Sequence, residues 1–315
     1  MIFEIGSDPE FLLVDSNSNL KSAITVIKRG KNKKIKIKDC SFFYDNVLAE
    51  CTIVPSKNLE DFNKNIKNSL KVLSEIVKPY KLSNLSSGTL DDSEMNHKDS
   101  RISGCSPEYC AYSLNSINPN KVKNFFKKSN FRTAGGHIHL GTDLGKDDIK
   151  SVMLVRMLDL FLGTTCLILE DSDHHFERRK IYGQLGRYRQ PKHGIEYRTP
   201  SNFWLMSPSL VDLVCEICDF CISFVKEKKY ELFWRVDLEK LNSDSFWNNG
   251  GNPSDCHVCF GYDVNLLQKL YKIKNKEKDI SPIKKIADYH LSNNIKSSIE
   301  KLQNKKFDLY KEWAL

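Results

Sequence analysis

At 315 residues, with 40% hydrophobic and 28% charged side chains, the chain has the composition of an ordinary globular protein able to bury a full core. Its net charge of +8 is too modest to point to nucleic acid, and it would serve an anionic co-substrate equally well. Ten cysteines, behind a Met1–Asp8 opening with acids where a secretory signal needs basic and then apolar residues, are expected to be free thiols in a reducing cytoplasm.

In chain order, Phe3–Ile5 and Phe11–Val14 are apolar runs around a polar, turn-like centre, and Phe42–Val54 mixes aromatic and β-branched residues with Asp45, Asn46 and Glu50. Leu59, Phe62, Ile66, Leu70, Leu73 and Val77 recur at helical spacing, and Pro79 closes that helix. Ser86–Asn120 is expected to be irregular with one short strand, and Arg132–Leu140 returns as a strand. Asp147–Leu169 predicts a long buried helix, whose Arg156 and Asp159 interrupt what would otherwise approach the ~18 apolar residues of a membrane span. Arg178–Arg198 is dense in Arg, Tyr and Gly. Ser207–Val225 predicts a helix with Ser207 as cap and Pro208 in the first turn. Lysine-rich helices are expected at Val264–Ile273 and Pro282–Leu302, while Lys31–Lys38, Lys121–Lys128 and Lys272–Lys278 look like solvated surface.

Four strand motifs carry the chemistry. In Gly6-Ser7-Asp8-Pro9-Glu10, a period of two turns Asp8 and Glu10 to one side, with Glu4 on the same parity. Two such carboxylates repel unless a cation or proton lies between them, although Pro9 also suits an exposed edge. In Gly135-Gly136-His137-Ile138-His139 the same period aligns two imidazoles among glycines. Glu196 and Arg198 share a face, and with Arg178, Arg187 and Arg189 they offer planar donors suited to carboxylate and phosphate oxygens. Glu50 stands in an apolar strand, where a glutamate must be paired, protonated or metal-bound. Hard oxygen ligands with an imidazole suit Mg²⁺ or Mn²⁺, and with arginines beside them they are the parts of a phosphoryl-transfer site.

In this order the motifs resemble the glutamine synthetase/glutamate–cysteine ligase-like superfamily, and most closely its phage-type COOH.NH2 ligase type 2 members. The Gly6-x-Asp8-x-Glu10 start is similar to a Gly-x-Glu-x-Glu opening strand, with Asp8 replacing the first Glu. Gly136-His137-Ile138-His139 resembles a Gly-x-His-x-His strand. The run from Arg178 through Tyr182-Gly183, Gly186 and Tyr188-Arg189 to Glu196-Tyr197-Arg198 resembles a nucleotide and substrate segment. Gly104-Cys105-Ser106-Pro107-Glu108-Tyr109 looks like a phage-subfamily signature with no assignable role.

The resemblance implies an α+β fold: a glutamine-synthetase-like curved antiparallel sheet packed by helices over residues 1–205, with residues 206–315 as a mostly helical elaboration on the same unit. It implies ATP and two or three Mg²⁺ or Mn²⁺ ions held by Asp8, Glu10, Glu50, His137 and Glu196. Arg187 and Arg189, with Arg178 nearby, would steady the phosphates. Arg198 would bind the substrate carboxylate or its acyl-phosphate, and His139 would contact nucleotide or substrate. The implied reaction joins a small-molecule or peptide carboxylate to an amine, in the host cytoplasm if the gene is viral, with neither nucleic acid nor membrane as partner.

The competing readings are a metal-dependent hydrolase using His137 and His139, and an inactive protein of the same fold that binds peptide or nucleic acid. The first leaves the arginine cluster unexplained and the second leaves the carboxylates so. Cys215-x-x-Cys218-x-x-Cys221 falls on a buried helix, where cysteine acts as a small hydrophobe. Cys256-His257-Val258-Cys259 lacks a clean second pair for zinc, Asp171-x-Asp173-His174-His175 reads as a solvated turn, and Trp247–Gly251 has the composition of a lid.

Overall fold

The computed structural model describes residues 1–102, 107–170, 172–229, 291–303 and 305–315, together with the backbone of two paired strands, Trp234–Val236 and His257–Cys259. The Trp247–Gly251 loop, the Val264–Ile273 segment, Asp171, the Cys256–Cys259 side chains and the first part of Pro282–Leu302 lie outside the described residues.

The elements that build the site are β1 (Glu4–Ser7), β2 (Glu10–Phe11), β3 (Ile35–Ile37), β4 (Cys40–Asp45), β5 (Leu48–Cys51) and β6 (Ile53–Ser56), followed by helix α1 (Leu59–Ile76). Then come β7 (Glu108–Cys110), β8 (Asn115–Ile117), β9 (Ile138–Gly141), helices α2 (Asp148–Leu158) and α3 (Asp173–Ile181), strands β10 (Arg187–Arg189) and β11 (Gly194–Tyr197), and helix α4 (Pro208–Lys226). Seven strands form one sheet in the order β8-β7-β10-β11-β9-β1-β6, and four form a second in the order β2-β5-β4-β3. Every pairing between these strands is antiparallel.

The two sheets meet where the chain passes from one to the other. Between β1 and β2 only Asp8 and Pro9 intervene, and between β5 and β6 only Thr52. The single strand expected through Asp8 therefore breaks, because proline offers no N–H to a ladder. Arg132–Leu140 breaks likewise into Phe131–Thr133, paired with Ser87–Thr89, and β9 in the large sheet. Ser86–Asn120 is less irregular than its composition suggests, since β7 and β8 form the hairpin at the edge of the large sheet.

Side chains alternate across the large sheet, and its back face is apolar: Ile5 lies opposite Leu140, and Leu140 opposite Ile195, all fully buried. These residues belong to one continuous core with Leu154 and Leu158 of α2 and Leu210, Val214 and Ile217 of α4. Cys215, Cys218 and Cys221 are buried there as free thiols. The helix that begins at α2 runs on to Leu169 and is long and apolar enough to cross a membrane, yet 83% of its most apolar stretch is buried inside the protein. Helix α1 turns Phe62, Ile66, Leu70 and Leu73 to the same core, each fully buried and each contributing roughly 2 kcal/mol. Its cap is Asn58, which accepts from the Asp61 N–H at 3.1 Å, while Asp147 caps α2 and Ser207 caps α4.

Midway along the buried helix the backbone widens to a π turn at Asp159–Gly163. Asp159 there accepts from the Tyr197 hydroxyl at 2.7 Å and the Gly186 N–H at 2.7 Å, with Thr199 at 3.4 Å, and so ties the β10–β11 hairpin down from behind. Burial pushes its carboxyl up to about 7, against the opposing pull of those hydrogen bonds.

Candidate functional site

The front face of the large sheet is charged. Gly6, His139, Glu196 and Arg189 stand opposite one another across β1, β9, β11 and β10. Gly6 has no side chain, and a Cβ there would stand 3.1 Å from Pro55; the Asp8 carboxylate meets the His139 Nε2 at 3.0 Å. Asp8, His139 and Glu196 can each direct a ligand atom to a common point. His137 adds its Nδ1 at 3.5 Å from Asp8 and 3.6 Å from Glu196.

A second group, Glu10, Asp45 and Glu50, converges in the same way from the four-stranded sheet. The register makes it: Glu10 pairs with Glu50, Glu50 pairs with Phe43, and Asp45 lies two residues on from Phe43, on its face. Asp8 and Glu10 thus serve different groups, although one cleft is lined by both. Gly135 joins the two, because its N–H donates to Glu10 at 2.8 Å and its carbonyl accepts from the Glu10 N–H at 2.9 Å. A Cβ at Gly135 would stand 2.9 Å from His137 Nε2 and 3.2 Å from Glu10 Oε2, so only glycine lets these groups approach.

Burial, then the neighbouring Asp45, pushes Glu10 up to about 7, and burial with Asp8 and Glu10 nearby holds Glu50 well above the usual carboxylate range. Burial would also raise Asp8, but hydrogen bonds from His137 and His139 overcome it and keep that carboxyl low. Burial and the Arg198 charge push His137 down to about 3, leaving a neutral imidazole. Glu50 Oε2 and His137 Nε2 are among the buried polar atoms with no hydrogen-bond partner. Unpartnered buried polar atoms are costly and rare. Hard oxygens from five carboxylates, with imidazole nitrogen beside them, are the donor set that a small divalent cation takes.

The arginines close the other side. Arg198 is buried, donating from Nε to Glu108 at 2.9 Å and from Nη1 to Glu196, with His137 Nδ1 at 3.4 Å. Arg189 donates to both Glu196 oxygens at 3.3 and 3.4 Å. Arg187 sits 3.5 Å from Glu108 and bonds the Gln184 side chain. Arg178 corrects the expectation drawn from its spacing. It lies on α3, fully buried, with both terminal nitrogens donating to the Thr199 and Pro200 carbonyls at 2.9 Å. Its charge supports the turn after β11 and does not line the cleft. The Tyr182 ring lies over both Arg178 and Arg198, with their guanidinium carbons 5.8 and 5.4 Å from its centre.

Lys31 is exposed, as its segment predicts, and its ammonium also lines the acidic cleft, 3.5 Å from Asp45. Asp45, Lys31 and Glu108 are the site residues that sequence reasoning passed over. Asp45 stands five residues before Glu50, so it shares that face only through the β4–β5 pairing of Phe43 with Glu50. The solvated turn expected at 171–175 is also corrected: His175 is buried and its Nδ1 meets Glu170 at 2.7 Å. His139 faces a neighbouring groove, lined by Ile53, Pro55 and His193, where its ring stacks on His193 with centroids 5.7 Å apart.

No curated protein matches the chain. Among solved structures, a bifunctional glutathione synthetase from Pasteurella multocida shares the fold with a TM-score of 0.50 at 10% identity, over 99% of this chain and 48% of that one. The chain thus spans about half the length of that protein. The family model described as phage phiEco32-like COOH.NH2 ligase-type 2 matches residues 126–296, more than half of the chain and including β9, β10, β11 and the arginines. The chain belongs to this carboxylate–amine ligase family.

Proposed function

We propose that this chain is an ATP-dependent ligase that joins a carboxylate to an amine through an acyl-phosphate, releasing ADP and phosphate. The observation that carries this reading is one cleft in which two acidic groups face Arg189 and Arg198. Family membership supports the amide-forming chemistry. The two sheets and their helices are read as a glutamine-synthetase-like catalytic unit over residues 1–205, with residues 206–315 packed on it. Packing of the tail's described residues on that unit is supported by the Trp313 indole, which donates to the Leu205 carbonyl at 2.8 Å, and by α4 sharing the core of the sheet.

In this mechanism Asp8, His137, His139 and Glu196 would hold one divalent ion, and Glu10, Asp45 and Glu50 another, either Mg²⁺ or Mn²⁺. Bound there, the ions supply positive charge between the triphosphate and the substrate carboxylate. Arg198 binds the substrate carboxylate and keeps it in line with the γ-phosphate, while Arg189, with Arg187 behind it, stabilises charge on the transferring phosphoryl group. Lys31, on the opposite wall, offers a further cation to the phosphates. His139 sits where the acidic cleft opens to the His193 groove and contacts the nucleotide.

The test has two arms. Calorimetry should detect binding of Mg²⁺ with a non-hydrolysable ATP analogue, and a panel of carboxylates and amines should give amine-dependent ADP release. Glu196→Gln should remove turnover while leaving the circular dichroism spectrum intact. A wild-type protein that binds no nucleotide, or a fully active E196Q, would reject the assignment.

A further inference from the structure

The Gly104–Tyr109 motif has no role in the chemistry above, but its Pro107 and Glu108 both reach the arginines. The Pro107 carbonyl accepts from Arg189 Nε at 3.3 Å. One oxygen of the Glu108 carboxylate accepts from Arg198 Nε at 2.9 Å, and the other stands 3.5 Å from Arg187 Nη1. The Tyr109 ring packs on Tyr188, between the two arginines of β10, at 5.7 Å. The strand is itself pinned. Just beyond it, the buried Arg156 donates twice to the Ala111 carbonyl, at 2.9 and 2.7 Å, and the Ala111 N–H donates to the Gly186 carbonyl at 2.9 Å.

From this geometry we infer that Glu108 is a positioning residue, which fixes the guanidinium planes of Arg198 and Arg187 for the anionic groups of the substrates. The inference rests on the ligase reading, in which those arginines meet phosphate and carboxylate. A guanidinium is a planar fork, and its use depends on the direction of its donors as much as on its charge. Glu196 cannot fix Arg198 alone, because Glu196 is also placed to take a metal. Glu108 is absent from both converging acid groups, so it can hold Arg198 while Glu196 is engaged. It touches neither substrate nor ion.

Full-length Glu108→Ala, Glu108→Gln and Glu108→Asp would be compared with wild type. Mn²⁺ affinity, read by electron paramagnetic resonance, should stay within about twofold in all of them. Affinity for the Mn²⁺–ATP analogue should fall about 10- to 100-fold in E108A, as expected for a misdirected charged donor. E108Q, which keeps one acceptor to turn toward Arg187, should recover part of that loss. A merely structural role would lower Mn²⁺ and nucleotide binding together, and unchanged nucleotide affinity in a folded E108A would overturn the inference. If the wild type binds no nucleotide, the ligase reading falls, and hydrogen exchange at Arg198 Nε, followed by NMR without ligand, decides the alignment. It should be slow in wild type and fast in E108A, and equal rates would refute the positioning role.

Discussion

Replacing Glu10 by Gln removes one charge from a buried group of three carboxylates while keeping an oxygen for the Gly135 N–H. In the metal-free fold Glu10 ionises near 7, against 4.5 ordinarily. The sign follows from linkage. A carboxyl whose value is raised by folding leaves stability intact below about 4.5 and erodes it as pH climbs through 7. At about 1.36 kcal/mol per pH unit, ionised Glu10 costs the metal-free protein about 3 kcal/mol at pH 8. With an unfolding entropy of roughly 0.7 kcal/mol/K for a chain of this length, E10Q should melt about 4–5 °C above wild type at pH 8 in EDTA. The two proteins should converge near pH 4.5. Saturating Mn²⁺ should narrow that gap, since wild type gains about 2.7 kcal/mol at a hundred times its dissociation constant and E10Q gains less. Differential scanning calorimetry across pH, with and without Mn²⁺, measures both effects. An E10Q protein that melts below wild type at pH 8 in EDTA, or gains as much from Mn²⁺, would refute the reasoning.

Gly135→Ala should cost about 1–3 kcal/mol by overpacking and weaken Mn²⁺ binding more than tenfold, because the new methyl meets His137 Nε2 and Glu10 Oε2; chemical denaturation and Mn²⁺ titration read the two separately. Tyr197→Phe deletes the hydrogen bond that favours ionised Asp159. It should cost about 1 kcal/mol at pH 6 and more at pH 8, since the carboxyl is then raised further and stability falls more steeply as pH passes through 7; equal losses at both pH values would contradict this. Leu70→Ala on α1 should cost about 2–5 kcal/mol in urea unfolding with Mn²⁺ affinity unchanged, because Leu70 belongs to the core and not to the cleft.

Much of this was readable from local pattern. The α1 spacing and the cap at Ser207 are short-range signals, and the helices they specify lie within a residue or two of expectation. The placement of Asp45, Lys31 and Glu108 depended on pairings that no local pattern encodes. Asp45 joins Glu10 only because β4 pairs with β5 and β5 with β2. Glu108 meets Arg198 across 90 residues of chain, from a segment whose Ser, Gly and Pro content spoke for loop. Arg178 failed in the opposite sense: its neighbours in sequence are site residues, but α3 directs it inward to backbone carbonyls.

The alternation across the large sheet also bears on how the protein reaches its fold. Ile5, Leu140 and Ile195 point back, while His139 and Glu196, each one step from its neighbour Leu140 or Ile195, point forward with Arg189. A slip of one residue between β9 and β11 would carry an imidazole or a carboxylate into the helical core and leave isoleucine in the cleft. The site therefore proofreads its own assembly: the charges that would do the chemistry also make every neighbouring register a poor competitor.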